Sequence, residues 1–178
     1  MKKIVLSLLL LTGLSVVTAK AQMEAAQKVI YDVNKDATIS MPQDEAWDIL
    51  NKAELLQKAS NGYATAIVVT DANFPVEREV TFADGTKRKE TIKQVDKQYK
   101  FMVIQLGTEW LPKGVKEAEI CVFTKDKDAK CEINWKAKIK GNAEGKKALM
   151  EKITAEFESY ALGFEKLTKK SIPAMRMN

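Results

Sequence analysis

Polar and apolar residues alternate along much of the chain from Ala26 to Ile139, and the apolar period then lengthens. Leu149, Ile153, Phe157, Tyr160, Phe164 and Leu167 recur every three or four residues, the period of one helix face. This predicts a helix over Glu144–Lys170, with Lys146, Glu151, Lys152, Glu156, Glu158, Glu165 and Lys166 on a solvated opposite face. Asn142 is placed to cap its start, and Pro173 stops it just beyond the basic pair Lys169 and Lys170. At about 1.5 Å per residue the helix is roughly 40 Å long, and its aromatic-rich stripe needs a broad apolar partner surface.

The preceding segments supply one. Val29, Tyr31, Val33, Ala37 and Ile39 mark a first strand within Ala26–Ser40. Pro42, Asp44 and Glu45 open a helix with Ala46, Trp47, Ile49 and Leu50 on one face. A second short helix, Glu54–Ala59, ends before the Asn61-Gly62 turn. Ala64–Thr70 reads as a strand, and its Ile67-Val68-Val69 run predicts burial on both sides. Val76–Phe82 and Thr86–Val95 flank the hairpin signal Ala83-Asp84-Gly85. Their charges (Glu77, Arg78, Glu79, Lys87, Arg88, Lys89, Glu90) read most simply as an exposed ribbon with cross-strand ion pairs. Tyr99–Leu106 is apolar on both faces, with Tyr99, Phe101 and Val103 on one and Met102, Ile104 and Leu106 on the other, as in a central strand. Gly107–Gly114 is a loop carrying Trp110. Ala118–Thr124 and Lys130–Ile139 form a last hairpin, with Cys131, Ile133, Trp135, Ala137 and Ile139 sharing one face.

The order is strand, two short helices, further consecutive strands and one long helix. It predicts an α+β fold, a curved antiparallel sheet of about seven strands wrapped around the C-terminal helix. Two cysteines lie on the neighbouring strands of the last hairpin. Cys121 and Cys131 face each other only if its loop has an odd number of residues, so the sequence admits either a cross-strand disulfide or two buried thiols.

The N-terminus changes the picture of charge and compartment. Met1-Lys2-Lys3, an apolar run from Ile4 to Val17 and the small-x-small Ala19-Lys20-Ala21 form the pattern of a secretory signal peptide over residues 1–21. The run is short for a membrane span, which takes about 20 apolar residues. The expectation is therefore an exported single domain over residues 22–178, periplasmic or extracellular, with no stable membrane span after processing. Lys2, Lys3 and Lys20 leave with that segment and no acid does, so the formal charge falls from +5 to +2. That is no basis for a nucleic-acid partner.

Histidine is absent, which excludes Ser-His-Asp and Cys-His nucleophile systems and His-based zinc sites. No metal and no cofactor is expected. Gly141-Asn-Ala-Glu-Gly145-Lys146-Lys147 is one residue short of a phosphate-binding loop, and Lys147 stands where Ser or Thr is required.

Three stretches carry a family resemblance. Ala37-Thr-Ile-Ser-Met-Pro-Gln-Asp-Glu-Ala-Trp47, Phe82-Ala-Asp-Gly85-Thr-Lys-Arg-Lys-Glu90 followed by Asp96, and Asn134-Trp135-Lys-Ala, in this order and spacing, resemble the START-like or SRPBCC superfamily. The resemblance is particularly to its polyketide cyclase/dehydrase-like branch. Gln57-Lys58-Ala59-Ser60 stands where that family usually has Trp or Pro. The resemblance implies a helix-grip fold with a pocket for a hydrophobic or amphipathic small molecule or lipid between sheet and helix. The residues placed to line it are Phe157, Tyr160 and Phe164 on the helix, with Tyr99, Phe101, Val103, Trp110 and Trp135 opposite and Arg78 as a further polar handle. The same aromatic stripe also describes an ordinary packed core. Three functions follow: a non-catalytic binding protein, placed first; a cyclase- or hydrolase-type enzyme using a pocket carboxylate or Tyr; and an interaction module packed solid between sheet and helix. A buried carboxylate with a raised pKa beside Tyr160 would favour the second, and a missing void the third.

Overall fold

The computed structural model describes residues 29–171, so the signal segment read over residues 1–21 lies outside the described residues. Strand β1 (Val33–Ile39) leads into helices α1 (Gln43–Asn51) and α2 (Ala53–Ala59). Strands β2 (Ala64–Asp71), β3 (Val76–Phe82), β4 (Lys87–Asp96) and β5 (Phe101–Leu106) follow. A single 3-10 turn (Thr108–Trp110), β6 (Val115–Lys127), β7 (Lys130–Gly141) and the long helix α3 (Ala143–Ser171) complete the order. The strands form one seven-stranded sheet in the order β1-β7-β6-β5-β4-β3-β2, antiparallel at every pairing. The expected α+β architecture is the observed one.

One face of the sheet is apolar because the alternation in each strand has the same phase. Met102, Ile104 and Leu106 of β5, Ile120 and Val122 of β6, and Ile133, Trp135 and Ile139 of β7 are buried on it. Helix α3 answers with Leu149, Ile153, Phe157, Tyr160 and Phe164, all buried. The Asn142 side chain caps it, its Oδ1 accepting the Gly145 N–H at 2.8 Å. The irregularity between Ile92 and Gln94 in β4 adds a residue to one strand of the pair, the kind of bulge that bends a strand locally.

Two expectations need correction. β2 is an edge strand, paired only with β3, and Val68 and Val69 are 56% and 44% exposed rather than covered on both sides. An apolar run shows that a strand is apolar; the number of its neighbours is a property of the whole sheet. The second concerns the cysteines. The last hairpin closes on Lys127↔Lys130 through Asp128 and Ala129, whose φ of 50° and 67° make the two-residue turn that suits strand twist. Cys121 is then opposite Lys136 and Cys131 opposite Asp126, roughly 17 Å apart along the ladder. A disulfide needs Cα atoms within about 7 Å. Both are free, buried thiols, and burial pushes the Cys131 thiol up to about 11.

Helices α2 and α3 approach closely at Gly163. Gly163 faces the Ala59 carbonyl, and Ser159 Oγ donates to the Ser60 carbonyl at 2.8 Å. This close approach pins the short helices to the long one.

Candidate functional site

The β3–β4 hairpin places charge inside. Its register sets Arg78 directly opposite Glu90 and Val80 opposite Arg88, on the inward face with Phe82. Glu77, Glu79, Lys87 and Lys89 point outward, and there the exposed-ribbon reading holds, with Lys87 Nζ 2.7 Å from Glu79. Inside, Arg78, Arg88 and Glu90 are 6%, 1% and 2% exposed. Glu156, which the helical pattern assigns to the solvated face, is 3% exposed and points into the same space.

These side chains form one network. Arg88 donates from Nη1 and Nη2 to the two carboxylate oxygens of Glu156, both at 2.7 Å, a bidentate pair linking sheet to helix. It also donates from Nε to Glu90 Oε1 at 2.8 Å and from Nη2 to the same oxygen. Arg78 Nε donates to Glu90 Oε2 at 2.6 Å. The Arg88 guanidinium lies 4.8 Å from the ring centres of both Phe82 and Trp110. Those centres are 5.7 Å apart, so the two rings cover one side of the cation rather than sandwiching it. Lys152 Nζ stands 5.3 Å from the Trp110 ring, a second cation against it.

Burial opposes the charged form of Glu90, but Arg78 and Arg88 outweigh it and hold the carboxyl below its usual range. Burial likewise opposes the charge on Arg88, and Glu156 and Glu90 more than restore it. Burial, then the charges of Glu156 and Glu90, push the Tyr160 phenol well above its usual range. The buried Glu90 carboxylate is thus held ionised, the opposite of the raised pKa that acid catalysis beside Tyr160 would use. A depressed folded-state pKa contributes stability above the unfolded value, and that contribution is lost as pH falls through the folded value. We therefore expect the urea midpoint to fall as pH drops below about 4.5, the ordinary value for Glu90, with a shallower acid dependence in Glu90→Gln. Equal slopes in the two proteins between pH 7 and 3 would show that Glu90 carries none of it.

The space between sheet and helix is nearly full. A cavity of about 30 Å³ remains there, bounded by Arg78, Arg88, Glu90, Glu156, Tyr160 and apolar side chains including Trp135 and Phe157. It has room for a water or two and none for a lipid. Of the residues predicted to line a pocket, Trp135, Phe157, Tyr160 and Phe164 do face this interior, with Trp135 and Phe164 ring centres 6.0 Å apart. Tyr99, Phe101 and Val103 do not. Tyr99 is 71% exposed in the β4–β5 turn. Phe101 stacks on Phe123 at 4.7 Å on the outer face, and Val103 shares that phase. The inward residues of β5 are Met102, Ile104 and Leu106, because a strand that is apolar on both faces gives no sign of which faces the helix.

Roomier concavities lie elsewhere, and the one with the most apolar wall is formed by the helices. A cleft of about 670 Å³ opens between α1, α2 and the last turns of α3. Met41, Trp47, Ile49, Leu55 and Leu167 supply its apolar walls, and Asp44, Glu45, Asp48, Lys58 and Lys100 its charged ones. Lys100 Nζ holds Asp44 at 2.7 Å. Nothing in the periodicity marks this site, since most of its residues are ordinary members of two short amphipathic helices and the rest come from distant parts of the chain. Among the described residues no cluster of His, Cys, Asp or Glu is placed to hold a metal, and no helix is long and apolar enough to cross a membrane.

Comparison of the whole chain with solved structures places this arrangement. XoxI of Bacillus cereus superposes with a TM-score of 0.66 at 9% identity, over 77% of this chain and 94% of that one. The norcoclaurine synthase of Thalictrum flavum superposes with 0.63 at 18% identity, over 80% and 98%. The di-domain ARO/CYC protein BexL of the BE-7585A biosynthetic pathway gives 0.66 at 7% identity, over 78% of this chain and 46% of its own length. The chain shares the helix-grip fold of these structures, the fold that the START-like, or SRPBCC, resemblance implies. No family model and no curated protein matches its sequence. At these identities the likeness lies in the backbone. The shared part includes the element order and the two short helices after β1.

Proposed function

We propose that this chain is an exported binding protein for a small amphipathic molecule with a hydrophobic body, held in the cleft between α1, α2 and the end of α3. The observation that carries this reading is a concavity that combines room with apolar walls. The cleft, at about 670 Å³, falls within the roughly 300–1,000 Å³ typical of small-molecule sites. The sheet–helix interior, at about 30 Å³, does not. Apolar walls with a few charged groups at the rim take an apolar body and orient a polar end, and the buried Trp47 gives the floor a rigid aromatic surface. Norcoclaurine synthase of the same fold has been solved in complex with dopamine and hydroxybenzaldehyde, small aromatic molecules of the size the cleft accommodates. Export rests on the signal-peptide pattern of residues 1–21.

The test is binding of the neutral probe N-phenyl-1-naphthylamine to the mature chain, alongside native mass spectrometry of the purified protein. One probe per chain is expected, with at least tenfold weaker binding in Leu55→Glu, which places a charge on the apolar wall, in a variant that stays folded by circular dichroism. Unaltered binding in that variant would remove the cleft from the reading. A protein that is empty as purified and ignores the probe would favour the interaction module.

A further inference from the structure

Two polar groups in the sheet–helix interior are left over from the ionic network. Tyr160 is 6% exposed, and its hydroxyl makes no hydrogen bond to any described residue. Arg78 is also 6% exposed, and only its Nε is engaged, by Glu90, leaving both terminal nitrogens without a hydrogen bond to a described residue. Yet among the described residues no side-chain nitrogen or oxygen sealed from solvent lacks a partner. The two groups must therefore open onto space that a water-sized molecule can enter. Both border the cavity of about 30 Å³, together with the Glu90 and Glu156 carboxylates, while Arg78 and Glu90 also border a surface concavity of about 640 Å³ that Tyr160 does not. The smaller volume suits one or two molecules of water size.

Charge decides the class of occupant. The guanidiniums of Arg78 and Arg88 balance the carboxylates of Glu90 and Glu156, as their mutual bonds show. An added anion or cation would stand uncompensated in a buried site, where an unpaired charge is strongly disfavoured. A neutral molecule bearing a hydroxyl meets no such penalty. It accepts from the Arg78 terminal nitrogens and from the phenol, and donates to carboxylate lone pairs that the network leaves open. The phenol keeps its proton throughout the neutral range, so it is always available as a donor.

We infer that Tyr160, Arg78, Glu90 and Glu156 enclose a specific site for one neutral hydroxylic molecule of one or two heavy atoms, occupied by water in the resting protein. The site is separate from the cleft. Leu50 and Leu56 border the cavity while their chain neighbours Ile49 and Leu55 border the cleft, so helices α1 and α2 stand between the two. The inference does not depend on what the cleft binds.

Crystals of the mature chain grown in sodium bromide, diffracting well enough to show waters, test it directly. Expected is density for one or two waters within hydrogen-bond distance of the Tyr160 hydroxyl, and no bromide there. In solution, the oxygen-17 relaxation dispersion that counts long-lived buried waters should fall by about one water in Tyr160→Phe relative to the parent. Methanol at molar concentration should replace the water in the crystal, whereas isopropanol should not. A dry cavity, a Tyr160 hydroxyl bonded directly to a carboxylate, or bromide at the site would each overturn the inference. So would an unchanged dispersion in a folded Tyr160→Phe.

Discussion

Replacing Arg88 by methionine is expected to lower the stability of this protein by about 3–5 kcal/mol, the usual loss when one partner of a buried ion pair is removed. The reason is what stays behind. Glu156 loses both hydrogen bonds of its bidentate pair inside the sheet–helix interface, and Glu90 keeps only Arg78. The attraction of two aromatic faces for the guanidinium, about 0.5–2 kcal/mol each, is lost as well. Against a typical domain stability of about 5–15 kcal/mol, such a loss is severe. The control is the double variant Arg88→Met with Glu156→Leu. It removes the orphaned carboxylate and leaves the Arg78–Glu90 pair intact, so at least ~1 kcal/mol should return, a coupling expected of residues in direct contact. Urea unfolding of the parent, both single variants and the double variant measures it. Strictly additive losses would show that Arg88 and Glu156 are not coupled in solution.

The second large effect is at Gly163, in the middle of α3. On helix propensity alone, Gly→Ala should stabilise by about 1 kcal/mol. The tertiary contact reverses the sign. A Cβ at residue 163 would sit inside van der Waals contact with the Ala59 carbonyl oxygen and 2.7 Å from its carbon, with Asn61 N at 3.1 Å. These are backbone atoms of α2 and its C-terminal turn and cannot swing aside as a side chain can. Separating the helices would also stretch the bond from Ser159 to the Ser60 carbonyl. Overpacking of this kind costs about 1–3 kcal/mol, and more where backbone must move, so Gly163→Ala is expected to lose at least ~2 kcal/mol net. Because α2 carries Leu55, the variant should also weaken probe binding in the cleft. An Ala variant as stable as the parent would mean that the two helices are not pinned here.

The same two places show how far local pattern reaches. The stripe from Leu149 to Leu167 and the alternation of β7 were legible, since each reports a face of one element and depends only on residues a few positions apart. The charged hairpin was legible in register and not in consequence. Asp84-Gly85 fixes Arg78 opposite Glu90, and period two puts Arg78, Val80 and Phe82 on one face, so the inward charges were present as a pattern. Charge runs are usually solvated, and that expectation outweighed the phase. Glu156 is a similar case: it stands three residues after Ile153 and four before Tyr160, on the buried stripe. A carboxylate there, read together with two arginines on the inward phase of a hairpin, is the signal that finds the network.

The sequence by itself determined the order of elements, the α+β class, the antiparallel connectivity and the apolar face of most of them. These follow from periods and turn residues, which act over a few positions of chain. The tertiary structure alone decided that β2 lies at an edge, that the cysteines are out of register, and that Phe101 and Val103 face away from the helix. It also decided that the interior is nearly filled while the cleft has room. Arg88 and Glu156 are 68 residues apart in the chain, and what they make together depends on a distance that neither strand nor helix encodes. Room for a ligand is likewise set by the separation of packed layers, to within the volume of a few methyl groups.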